Sequence, residues 1–218
     1  MRLFLAGCCA FIATGLASDS AAPVAPGDPR DFRRAIWGMT QEQTLATEAV
    51  APSEVRQTGG ETIVFYNAVE LAGLPCRAIF IFASDKLVRA KYVFQAEHGE
   101  PNEFIGDYRI VEPRLKDAYG KPAAERAVWE DDIYQDEPKS YLEQDRASSA
   151  DILPSDRFVG LSLSAGHLKL YTQWSGARTN VLHGMAGENG RITHQIEYVG
   201  VELEKFESEI RGAARTRD

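Results

Sequence analysis

Apolar positions along this chain recur at two spacings, and the switches between them mark out its elements. Glu61 to Val69 is dense in Val, Ile, Phe and Tyr and predicts a strand. Cys76 to Ala83 is apolar on both faces, which predicts a central strand. Leu87 to Ala96 alternates, with Val88, Ala90, Tyr92, Phe94 and Ala96 on one side and Arg89, Lys91 and Gln95 on the other. Ser84-Asp85-Lys86 between the last two reads as a tight turn, so the region predicts an antiparallel sheet with one dry and one wet face.

The spacing is helical elsewhere. Thr40 is placed to cap a helix running to about Val50, with Gln43 three residues on as in a capping box. Phe104, Tyr108, Val111, Leu115 and Ala118 share one face of a second helix, which Gly120 should end. Pro113 interrupts it and predicts a kink or two short helices. Between 121 and 156 the pattern weakens to a short strand around Trp129 and Ile133-Tyr134 and a charged helix over Pro138 to Ala150. Four strands follow: Arg157 to Ser164, His167 to Trp174, Arg178 to Met185, and Arg191 to Leu203. Gly187 to Gly190 turns the last hairpin. In the final strand Ile192, His194, Ile196 and Tyr198 oppose Arg191, Thr193, Gln195 and Glu197, and Arg211 to Asp218 reads as a frayed tail.

Helix, three strands, helix, four strands is one unit used twice. The expected class is α+β: tandem helix-plus-antiparallel-sheet units, as separate sheets or one continuous sheet. The expected boundaries are a signal peptide over 1–17, a flexible linker over 18–31, halves over 32–100 and 101–205, and a tail over 206–218.

Composition sharpens the setting. Arg2 followed by the uncharged run Leu3 to Leu16 and the small residues Gly15-Leu16-Ala17 reads as an export signal. The run is too short for a membrane span, which takes about 20 apolar residues. Leu5-Ala6-Gly7-Cys8 offers a second reading, a lipobox in which Cys8 is lipidated and the chain is anchored to the outer membrane. The expected location is periplasmic or secreted. Ser18 to Asp31, with Pro23, Pro26 and Pro29, buries little. The formal net charge of −8 argues against nucleic acid and anionic membrane surfaces as partners. Loss of the signal would take Cys8 and Cys9 with it, leaving Cys76 as a small buried strand residue without a disulfide partner.

Trp37-Gly-Met-Thr-Gln-Glu-Gln43 resembles the opening of the BamE/SmpA-like and BLIP-like exported bacterial modules, in which a short helical segment packs on an antiparallel sheet. Ala118-Tyr-Gly-Lys-Pro122 followed by Trp129 looks like the helix end and turn of the same unit, and Phe82 to Leu87 like its strand–turn–strand. Pro113 departs from the uninterrupted helix usual before that turn. The resemblance implies binding to other envelope proteins; one branch inhibits β-lactamases through a concave sheet face. It carries over no catalytic residues.

The sequence holds no Gly-x-Ser-x-Gly, His-Glu-x-x-His, phosphate-binding glycine loop or Cys-x-x-Cys. A two-residue Asn189-Gly190 turn would set Met185 opposite His194 and His183 opposite Ile196, making the histidines diagonal neighbours, whereas a five-residue loop would pair His194 with Leu182 and separate them. They are the metal candidates, although zinc takes at least three protein ligands and their apolar neighbours favour one or two packed histidines, each hydrogen-bonded in the core. Five carboxylates within Glu130 to Glu137 read as a calcium or docking loop, or more simply as a hydrated one. Trp37, Trp129 and Trp174 are candidate interface anchors, with core packing as the default. The expectation is a non-catalytic envelope protein that binds a protein or peptide through a sheet face and needs no cofactor. The alternatives are a dispersed-site hydrolase around His183 and His194, or a small-ligand carrier.

Overall fold

The computed structural model describes residues 19–24, 27–130 and 157–215. Nine strands and four helices follow in the order β1 (Asp19–Ala21), α1 (Gln41–Thr47), β2 (Glu54–Thr58), β3 (Glu61–Leu71), β4 (Leu74–Ala83), β5 (Lys86–Phe94), α2 (Pro101–Tyr119), β6 (Ala124–Trp129), α3 (Arg157–Ala165), β7 (Leu168–Ser175), β8 (Thr179–Glu188), β9 (Arg191–Gly200) and, after a 3₁₀ turn over Val201–Leu203, α4 (Glu204–Arg215). The class is α+β, and all the strands belong to one continuous sheet. From β3 its order runs β3-β4-β5-β9-β8-β7-β6. β2 and β1 both border β3; β1 pairs in parallel and every other pair is antiparallel.

Four two-residue turns set the registers. Gly59-Gly60, Ala72-Gly73, Ser84-Asp85 and Asn189-Gly190 each hold two consecutive residues at positive φ, the conformation whose twist matches a hairpin. Asp85 also accepts the Gln41 N–H at 3.0 Å, so the β4–β5 turn is tied to the start of α1. The Thr40 capping box is present in both directions.

The inner face of the sheet carries the core. Phe32 packs against Phe80, Tyr92 and Tyr198 with ring centroids 4.8 to 5.2 Å apart, so one residue ties β4, β5 and β9 together. Cys76 is buried in this cluster, and burial pushes its thiol up to about 12. A second cluster joins Ile105 and Tyr108 of α2, Val159 and Leu163 of α3, and Leu168, Leu170 and Met185 of the sheet. On the outer face, Leu203, Phe206 and Ile210 pack on Ile63, Ile79, Ile81, Ala83 and Val88.

Several expectations are corrected. Arg157 to Ser164 is the helix α3, not a strand. Its apolar residues alternate, but Val159 and Leu163 are also four apart, and these two are buried against α2 while Leu161 is 51% exposed. Gly160 permits the contact: its N–H donates to Asn102 Oδ1 at 2.8 Å, and a Cβ there would lie 2.4 Å from that oxygen. Val88 does not share a face with Ala90. The β4–β5 register steps from Ile81–Arg89 to Phe82–Leu87, and the extra residue turns Val88 to the outer face. The last strand stops at Gly200 rather than Leu203, and residues assigned to a tail form α4. Part of the supposed linker is β1, hydrogen-bonded beside β3. α2 runs unbroken through Pro113, which is exposed, so the carbonyl its ring leaves unbonded faces water. Cys8, Ile133-Tyr134, the Pro138 to Ala150 helix and the acidic run beyond Glu130 lie outside the described residues.

Candidate functional site

The β8–β9 hairpin has the register read from its turn, with Met185 opposite His194 and His183 opposite Ile196. Both histidines point inward and are fully buried, and their Nε2 atoms lie 2.8 Å apart. Tyr108 of α2 stacks on the His183 ring at 3.8 Å, and Phe94 of β5 stacks on His194 at 4.1 Å. The Thr172 hydroxyl donates to Glu112 Oε1 at 3.0 Å, which leaves the Tyr108 phenol to donate to Thr172 at 2.9 Å.

This geometry is a hydrogen bond between imidazoles. One ring donates from Nε2 and the other accepts, which between two neutral rings requires opposite tautomers. Burial holds His194 down at about 3, and burial together with His194 holds His183 well below its ordinary value. Two nitrogens on one tetrahedral zinc would stand roughly 3.3 Å apart, from bonds of about 2.0–2.1 Å. The pair is closer than that, and no group of three His, Cys, Asp or Glu among the described residues could hold a metal. Neither Nδ1 has a partner. The pair is buried beneath α2, with the Tyr108 and Phe94 rings stacked against it.

The three tryptophans serve the fold. Trp37 donates its indole N–H to Thr179 Oγ1 at 2.8 Å and lies against Gly200. Trp174 is buried and donates to the Gly120 carbonyl at 2.9 Å, bracing the end of α2. Trp129 packs against the second cluster.

The surface that stands open is the opposite face of the same strands. Lys169, Tyr171 and Gln173 of β7, Leu182, Gly184 and Ala186 of β8, and Thr193 and Gln195 of β9 point outward in matched registers. They line a depression of about 380 Å³. Gly184 forms its floor between Tyr171 and Gln195, and a Cβ added there would meet only the Leu170 carbonyl, at 3.7 Å. An ion network separates this area from α4. Arg89 bonds Glu207 of α4 and, at 2.9 Å, Glu197 of β9, and Lys91 reaches Glu197 at 3.1 Å. Burial opposes charge on Glu197, but Lys91 and Arg89 outweigh it and hold its carboxyl below the usual range.

Sequence reasoning selected the inner histidines and missed this face. A signal for it was present in β7 and β8, where the outward positions carry Tyr, Gln, Gly and Ala rather than the Ile and Val of the first half. Comparisons with protein-family models, with curated proteins and with solved structures return no match.

Proposed function

We propose that this chain is an exported, non-catalytic protein that holds another envelope protein or peptide on the outer face of β7–β9. The observation that carries the reading is the contrast along one sheet face. Over β3–β5 it is covered by an amphipathic helix of the same chain, while over β7–β9 it presents Tyr171, Leu182 and a glycine-floored depression to solvent. Mixed aromatic and amide surfaces of this kind offer contact area and hydrogen bonds together. The location rests on the charge, apolar run and small residues between Arg2 and Ala17. The occupant is a polypeptide segment with an apolar side, because Tyr171, Leu182 and Ala186 offer apolar contact in the depression and Gln173 and Gln195 offer amides beside it.

A photo-crosslinking residue at Tyr171 tests this in the native host. The expected result is a discrete adduct that is absent when the probe sits at the exposed Arg114 of α2. Gly184→Phe, which fills the depression, should lower its yield about tenfold. The same products from both probe positions would overturn the reading.

A further inference from the structure

The pairing of β5 with β9 ends at Val93–Gln195. β5 then departs into residues 95–98, whereas β9 is still paired to β8 as far as the Asn189-Gly190 turn. The two halves of the sheet part here around a cleft of about 510 Å³. That volume falls among small-molecule sites, which span about 300–1,000 Å³. Phe94, Phe104 and Ile192 supply an apolar lining. Arg77 stands on the β4 side and Arg191 on the β9 side. His98 also lines the cleft and is held by Asp107 at 2.7 Å, with its ring against Phe104.

The lining itself carries two arginines and one carboxylate, while Asp107 and Glu103 stand at His98. No ion pair engages Arg77 or Arg191 among the described residues, although the half-buried Arg33, Arg89, Lys91 and Lys116 are each matched to a carboxylate. The Arg77 Nε is shielded from solvent and has no acceptor, and its guanidinium lies over the Phe65 ring. The one carboxylate in the lining, Glu97, is exposed. A shielded donor without an acceptor is costly in a folded protein and marks a place where an acceptor would be gained. An arginine matches a carboxylate in geometry as well as charge.

We propose that this cleft binds a small carboxylic acid with an apolar body. The carboxylate sits at Arg77 and Arg191, and the body lies on Phe94, Phe104 and Ile192. The site is separate from the outer face of β7–β9 and does not depend on the reading given to that face.

Calorimetric titration of the full chain with octanoate, and with 1-octanol as its uncharged counterpart, tests the proposal. Octanoate should bind saturably at submillimolar concentration, and 1-octanol at least about tenfold more weakly. Arg191→Glu should weaken octanoate by about tenfold or more, consistent with the loss of a charge-assisted contact and a reversed charge. Its melting temperature should fall only slightly, since Arg191 is exposed beside a turn and the new carboxylate faces only Glu188 across the hairpin. Gly184→Phe should leave octanoate binding as it is. Equal affinity for acid and alcohol, full binding by Arg191→Glu, loss of binding in Gly184→Phe, or no saturable heat would each overturn the assignment.

Discussion

The outer face of the sheet is aliphatic and covered under α4 and mixed in polarity over β7–β9, and the change falls at the β5–β9 seam. On the first side Ile63, Ile79, Ile81 and Val88 meet Leu203, Phe206 and Ile210. On the second, Tyr171, Gln173, Leu182 and Gln195 meet solvent around Gly184. Burying apolar area is worth about 25 cal/mol per Å², so an amphipathic helix settles where the isoleucines are. The Arg89–Glu207 ion pair, with Arg89 shared by Glu197, ties the first turn of the helix to β5 and β9. The inner face differs between the halves as well. Behind β4, β5 and β9 it is an aromatic cluster centred on Phe32; behind β7–β9 it encloses a polar His–His bond.

The strongest way to break this contrast is to truncate one residue on each side. Ile81→Ala removes a side chain sealed by α4 and should cost about 2–4 kcal/mol, whereas Leu182→Ala on the open side should cost less than about 1 kcal/mol. Urea denaturation of the two variants measures both, and equal losses would mean that the open face is covered.

Acid tests the inner face. His194 is depressed to about 3 in the fold and returns to about 6.5 on unfolding. Its contribution is therefore complete above pH 6.5 and falls as pH drops, because the unfolded chain takes up protons that the folded chain refuses. The slope approaches about 1.4 kcal/mol per pH unit, or roughly 2–3 kcal/mol between pH 6.5 and 4.5, with His183 acting in the same direction. The depressed Glu197 carboxyl adds acid sensitivity only below about pH 4.5, since its stabilisation is lost as pH falls through its folded value. A His183→Leu/His194→Leu variant should flatten the stability curve between pH 6.5 and 4.5, and a curve of unchanged slope would remove the pair from the account.

The smallest effect concerns Gly184. Its Cβ position is open, so Gly184→Ala should raise stability by about 0.5 kcal/mol through lost freedom in the unfolded chain. A thermal melt resolves the sign. A destabilising result would show that the strand needs glycine for its backbone rather than for the depression.

Local rules were legible where one interaction dominates. The Thr40 capping box, the Gly120 helix end and the two-residue Asn189-Gly190 turn each follow from a few adjacent residues, and the turn's register correctly set His183 diagonal to His194. Reading failed where two periods fit equally well. Arg157 to Ser164 alternates and also repeats at four, and only α2, with Asn102 against Gly160, selects the helix. Leu203, Phe206 and Ile210 carry a helical repeat, yet the sheet surface that makes it worth folding lies more than a hundred residues earlier in the chain. The candidate site was half legible: the histidine pair was found, but its sealing beneath Tyr108 and Phe94 was not, nor was the open face behind it.

What the order of residues settled alone is the α+β class, the register of the β8–β9 hairpin and the caps at Thr40 and Gly120, because these depend on backbone sterics and hydrogen bonds within a few positions. Assembly settled the joining of β5 to β9 into one sheet, the side on which α4 lies, the neutrality of the histidines and the cleft between Arg77 and Arg191. Those outcomes turn on desolvation and on charges from distant strands, and neither quantity exists until the chain has closed around them.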